Sequence, residues 1–156
     1  MPAMISRFAT RRCLVLSGVL MLLSTAAQAG LTVNAPWVRP TTERAATEAY
    51  MLLTSSDAAV MKEVRSLIAT SVVIRATGSG TKNLPQLALP AGIPVVLSPD
   101  AVHLVLRGLA HPLAVGERVP LLLTIEMADG SRQEISINAE VRLHSPLDDA
   151  RRAQPR

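Results

Sequence analysis

The sequence predicts an all-β sandwich built from one domain. From residue 31 onwards, short apolar runs are separated by turn residues about every eight to twelve positions, which is typical of sandwiches. Near the end of the domain, two alternating arms flank Asp129-Gly130, a dipeptide that favours tight hairpins. The part of the chain after residue 29 is roughly 127 residues long, the length of a single domain.

The first half of the domain contains three predicted segments. A strand over 31–38 is interrupted by Pro36, which cannot donate to a ladder and therefore indicates an edge strand or a broken one. A second strand covers 48–56 and ends in a Ser-Ser-Asp turn. The segment 58–77 is consistent with a helix up to about Leu67, and its β-branched run 72–74 favours a strand at its end.

The second half is predicted to be strands throughout. Short runs at 87–89 and 95–97 precede the strand that carries His103. The hairpin arms are 121–127 and 133–141, joined by a type I′ turn at Asp129-Gly130. The polar residues 146–156 carry little apolar surface and are predicted to be a disordered tail.

The first 29 residues have the pattern of a secretory signal peptide. Three arginines precede an apolar run that begins at Cys13, and Ala27-Gln28-Ala29 provides a small-x-small cleavage site. The run is shorter than the roughly 20 residues that span a bilayer. Cys13 opens the run instead of following it, which argues against a lipid anchor. We therefore expect a periplasmic protein that begins at Gly30.

The composition after residue 29 excludes several classes of protein. It retains 13 of the 16 Lys and Arg residues against 12 Asp and Glu, a net charge of +1, so no basic patch indicates nucleic acid. The only cysteine is Cys13, so the mature chain has no disulfide and no thiolate metal site.

Residues 31–142 resemble the PCu(A)C family of periplasmic copper chaperones. The matching residues are Pro36-Trp37-Val38-Arg39, Ala46-Thr47-Glu48-Ala49-Tyr50-Met51, and the segment 87–126 with its Pro-Ala-Gly, Leu-x-Pro, His-containing strand and Gly-x-x-Val-Pro-Leu-x-Leu pieces. The resemblance implies a cupredoxin-like Greek-key β-sandwich over 30–145. It also implies Cu(I) delivery to the copper site of respiratory oxidase, through a periplasmic or membrane-bound acceptor protein.

The ligand pattern of the family is largely missing from this chain. The resemblance implies a motif of the form H-x(10)-M-x(21)-H-x-M, whose last pair aligns with His103 and Val105. The first Met aligns with Thr81. The first His aligns with Thr70 without gaps, or with Arg75 if the β-branched strand is aligned. His103 is therefore the one candidate metal ligand that remains.

One imidazole is a poor copper site on chemical grounds. Cu(I) is soft and takes several imidazole and thioether ligands. His-x-Met suits a strand because residues two apart share a face, and here Val105 offers no lone pair in that place. We expect an accessible strand histidine at a former ligand position. The other metal-binding side chains are isolated in the sequence: Met51, Met61, Met127, His111 and His144.

No enzyme motif stands out. Gly78-Ser79-Gly80-Thr81-Lys82 lacks the spacing of a phosphate-binding loop and is interpreted as a flexible loop. Two functions therefore stay open. One is copper transfer, which the resemblance implies. The other is a metal-free periplasmic interaction module that kept the sandwich and lost the site, which the missing Met at Val105 favours.

Overall fold

The computed structural model describes residues 30–78 and 80–153. Ten strands and one short helix account for most of them. In chain order they are β1 (Leu31–Val38), β2 (Ala46–Ser55), β3 (Ala59–Arg65), β4 (Ala69–Ala76), β5 (Lys82–Leu84), β6 (Leu87–Leu89), β7 (Val95–Leu97), β8 (Val102–Leu109), β9 (Arg118–Met127), β10 (Arg132–Val141) and α1 (Pro146–Arg152).

The strands form one sheet that folds around a single core. Their order is β5-β4-β8-β2-β1-β10-β9-β3-β6, with β7 added beside β2. β1 joins the two halves, because it pairs antiparallel with β2 and parallel with β10. The sheet is almost closed, and its end strands β5 and β6 do not pair with each other. The predicted cupredoxin-like β-sandwich is confirmed.

Strict alternation along the central strands builds the core. In β2 the residues Ala49, Met51 and Leu53 are buried in the main cluster, and in β8 Leu104 and Leu106 join them. The intervening side chains of β2 and β8 lie on the opposite face of the sheet, which we call the outer face. Glu48, His103 and Val105 lie on that face.

The predicted helix at 58–67 is wrong, because this segment is strand β3. A bulge between Met61 and Glu63 shifts the register against β9. Because of this extra residue, the buried positions Met61 and Val64 lie three apart instead of two. This spacing resembles one helical face, so periodicity alone could not separate the two structures.

The hairpin between β9 and β10 lies where the sequence predicts it, with a different turn. Gly130 N donates to Met127 O at 2.9 Å, and Met127 N donates to Ser131 O at 2.8 Å. The loop thus has three residues, with Gly130 alone at φ +82°. The predicted type I′ turn is wrong, because Asp129 does not adopt positive φ; this is the type I turn with a glycine bulge.

Replacing Gly130 with valine is expected to lower the free energy of unfolding by about 1–2 kcal/mol, since a β-branched residue resists left-handed backbone. No atom lies within 4 Å of a Cβ added there, so the cost is one of backbone conformation. Gly130→Asn is the matched control and should cost less, because asparagine tolerates this region. Urea unfolding measures both. Equal midpoints for the valine variant and the parent would contradict the assigned turn.

The structure has a helix, α1, over most of the segment 146–156 that the sequence predicts to be disordered, and 154–156 lie outside the described residues. The Ser145 hydroxyl accepts a hydrogen bond from Leu147 N at 3.2 Å, and Pro146 occupies the first turn. Arg142 ties the helix to the sheet through a 3.0 Å hydrogen bond to Asp149. No residue of α1 is buried, so capping and charge hold this helix, and low apolar content was a poor guide.

The predicted signal peptide lies outside the described residues. Within 30–78 and 80–153, no helix is both long and apolar enough to cross a membrane.

Candidate metal centre

His103 lies in a row of side chains that runs across the outer face. Its cross-strand partner on β4 is Arg75, and the partner of Arg75 on β5 is Asn83. Val105, on the same face two residues along, is paired with Glu48 of β2. Directly paired residues have Cβ atoms about 4.5–5.5 Å apart, so their side chains are neighbours.

The imidazole of His103 is buried, which corrects the expectation of an accessible histidine. The residue is 3% exposed. Its Nδ1 lies 3.2 Å from the carbonyl oxygen of Ala101, and its Nε2 lies 3.7 Å from Glu48 Oε1. Side chains from neighbouring strands cover it, and a pattern within one strand cannot reveal such cover.

Glu48 is the centre of a polar cluster that we call the Glu48 cluster, made of Arg39, Glu48, Tyr50 and His103. The Tyr50 hydroxyl donates to Glu48 Oε2, and Arg39 Nη1 lies 3.4 Å from the same oxygen. Arg39 also lies over the Tyr50 ring, 5.7 Å from its centroid. One carboxylate thus connects a guanidinium, a phenol and an imidazole.

Aromatic packing holds this cluster against the sheet. The rings of Trp37 and Tyr50 lie 4.6 Å apart, and those of Tyr50 and His103 lie 6.1 Å apart. Burial, followed by the hydrogen bond to Glu48, raises the pKa of the Tyr50 hydroxyl above its ordinary value of 10.0. The phenol therefore remains a hydrogen-bond donor to Glu48 over the whole physiological pH range.

Arg75 occupies the position opposite His103 on β4. It forms no ion pair within residues 30–78 and 80–153. Its Nε is buried and has no hydrogen-bond partner among those residues. Arg75 lines an open cleft of about 310 Å³ together with Arg39, Thr47, Glu48 and Val105.

The donors at this place do not fit Cu(I). His103 offers one nitrogen, Val105 is buried at 3% exposure without a lone pair, and Arg75 brings a positive charge. Thr81 lies exposed before β5, and the exposed Thr70 donates its hydroxyl to Gly108 O at 3.0 Å. Neither threonine supplies a soft ligand.

The other candidate ligands do not lie beside His103 on the outer face. Met51, Met61 and Met127 are buried in the main core, on the opposite side of the sheet from His103. His111 and His144 are both exposed, in the loop after β8 and beside α1 respectively. The described part of the chain holds no group of three or more His, Cys, Asp or Glu side chains able to hold a metal ion.

Sequence reasoning missed Glu48 and Tyr50 as neighbours of His103. Both belong to one face of β2 because they lie two residues apart. A single charged residue within a largely apolar strand was the available signal. The pairing of Arg39 with β2 also explains its ion pair with Glu48. Arg39 N donates to Glu48 O at 2.9 Å, and this backbone contact places the two side chains next to each other.

Comparisons with known proteins agree with this fold. The "Apo PCuAC domain from PmoF1" superposes with a TM-score of 0.63 at 21% identity, covering 73% of this chain and 95% of that one. The "Copper-bound PCuAC domain from PmoF2" gives 0.62 at 23% identity, covering 73% and 94%. The Cu(I) form of DR1885 from Deinococcus radiodurans gives 0.54 at 29% identity, covering 77% and 85%.

Comparison by sequence gives the family. No curated protein matches the chain. Residues 31–141 match a family model described as "Putative lipoprotein LpqE-like". This match spans nearly the whole domain, from the start of β1 to the end of β10. The resemblance to PCu(A)C proteins is thereby confirmed: the chain belongs to the LpqE-like family and has the fold of PCuAC domains.

Proposed function

We propose that this chain is an exported, non-catalytic sandwich that acts by contact with other proteins and does not carry Cu(I) at His103. One observation carries the proposal: the imidazole that remains from the ligand pattern is buried in the Glu48 cluster, with a guanidinium on the neighbouring strand. Of the positions aligned with the ligand motif, only His103 carries a metal-binding side chain, and Glu48 already faces its Nε2.

A Cu(I) ion and the Glu48 carboxylate compete for the same nitrogen of His103, Nε2. A Cu(I) ion on Nε2 has to displace the Glu48 carboxylate, which lies 3.7 Å away, and enter a site where the imidazole side chain is 4% exposed. It then lies beside the charge of Arg75 with no thioether to complete its coordination. Each of these contributions lowers the affinity of His103 for the ion.

A second candidate is Cu(I) carriage, with a periplasmic or membrane-bound copper protein as acceptor. It is favoured by the contact of Nδ1 with the Ala101 carbonyl, since an Nδ1–H held this way leaves Nε2 as the ligating nitrogen. It is also favoured by the likeness to DR1885, whose structure is of a Cu(I) form.

Copper content separates the two candidates. The protein is purified from the periplasm of copper-supplemented cells, and metal is measured per chain. We expect far less than one copper per chain in the parent and no change in His103→Gln. A copper content near one per chain that His103→Gln abolishes would reject the metal-free proposal and support carriage.

We also propose that export removes residues 1–29. The family description names a lipoprotein, and the small-x-small site at Ala27–Ala29 favours simple cleavage. Intact-mass measurement of periplasmic protein is expected to give a chain that begins at Gly30. A chain that begins at a lipid-modified Cys13 would show that the family description holds for this protein and that the cleavage site is wrong.

A further inference from the structure

We propose that the cleft beside Val105 is a carboxylate-binding site, with Arg75 as its principal ligand-binding residue and Arg39 at its rim. The inference rests on the proposed function, because it names the chemistry that the metal-free site takes. The cleft has a volume of about 310 Å³ and lies between β2, β4 and the loop after β1. This volume is near the lower end of small-ligand pockets.

The charge balance of the cleft favours a monovalent anion. The three charged side chains that line it are Arg39, Glu48 and Arg75. Arg39 and Glu48 offset one another at 3.4 Å, which leaves the charge of Arg75 unopposed. A single carboxylate neutralises this charge, whereas the second negative charge of a dianion such as phosphate has no cation left in the cleft to offset it.

The guanidinium group gives this site its geometry. Its planar array of donors binds a carboxylate through two parallel hydrogen bonds, and such charge-assisted bonds are the stronger kind. Because Nε is buried within the protein, packing around it restricts the conformations of the side chain before any ligand arrives. This preorganisation lowers the entropic cost of binding.

Two sources can supply the carboxylate: a free small acid, or a glutamate or aspartate side chain of a partner protein. Arg75 recognises the carboxylate group in both cases. The two sources differ in the size of the molecule that carries it. A peptide gains contacts with the exposed Ala46 and the rest of the cleft rim that acetate cannot make. The relative affinity of acetate and of an acidic peptide therefore identifies the source.

The test is a titration of the mature protein followed by nitrogen–proton NMR. The Arg75 side-chain Nε–H signal is assigned by its loss in Arg75→Lys, and the backbone amides of Thr47 and Val105 report in every variant. The probes are acetate, a blocked Gly-Glu-Gly tripeptide and its Gly-Gln-Gly counterpart, with chloride holding the ionic strength constant.

We expect saturable shifts with the acidic probes and none with Gly-Gln-Gly. Arg75→Gln should weaken binding by about tenfold or more, and Arg75→Lys should fall between. Arg107→Gln is the matched control. Arg107 is exposed and lies on the same face of β8 as Val105, but it does not line the cleft. It should change affinity less than about twofold.

Each outcome is decisive for the site. A peptide that binds tenfold more tightly than acetate assigns a protein carboxylate, and equal affinities assign a free acid. Shifts that do not saturate, or an equal loss in Arg107→Gln, would overturn the proposal. The metal-free function is tested separately, by the copper content of the parent and His103→Gln. Copper held by His103 would reject that function whatever shifts the titration gives.

Discussion

Replacing His103 with alanine is expected to lower the free energy of unfolding by about 2–4 kcal/mol. The imidazole is buried, packs beside Tyr50 and faces Glu48, so its removal leaves a cavity and a partly buried carboxylate with one neighbour fewer. Urea unfolding of the parent and the variant at one pH measures the difference.

The matched control for this variant is His111→Ala. The His111 side chain is exposed, and its Nδ1 lies 2.7 Å from the carbonyl oxygen of the adjacent Pro112, so its loss should cost less than about 0.5 kcal/mol. If both variants unfold at the midpoint of the parent, His103 is not a packed member of the Glu48 cluster.

The double substitution Arg75→His with Val105→Met is expected to create a Cu(I) site. The new imidazole would stand opposite His103 on β4, and the new thioether would lie two residues along on the same face of β8. Relative to the parent, we expect Cu(I) affinity to rise at least about a hundredfold, about 2.8 kcal/mol, because three matched ligands replace one. Val105→Met alone should give a smaller rise.

The control adds the same two ligand side chains but places the methionine on the other face of β8. Arg75→His with Leu104→Met places the thioether in the main core, where Leu104 is fully buried on the other side of the sheet. Leucine to methionine preserves volume, so the fold should persist. Equal affinity gains in the two double variants would show that the outer face does not determine copper binding.

The local sequence pattern was sufficient to predict most of the strands. It failed for β3, which contains one extra residue, and for α1, which depends on a helix cap. The alternation of Ile135, Ile137 and Ala139 predicted β10 because that strand pairs with β9 without a register shift. β3 contains a bulge, which converts a spacing of two into one of three and imitates a helix. Helix α1 depends on the cap at Ser145, which composition does not reveal.

The site was only half predictable for a different reason. His103 and Val105 are related by two-residue spacing within one strand, so their shared face follows from the sequence. Arg75 and Glu48 reach His103 from β4 and β2, through pairings between strands far apart in the chain. The burial of the imidazole depends on those pairings. A prediction limited to one strand therefore gave the right face for His103 and the wrong exposure.

The most direct test of the account is a Cu(I) competition titration of the mature protein against a chromogenic chelator. We predict that the parent leaves the copper with the chelator, because His103 has no soft partner and its Nε2 faces Glu48. Stoichiometric removal of copper from the chelator by the parent, lost in His103→Gln, would contradict the central claim that the Glu48 cluster has replaced the metal site.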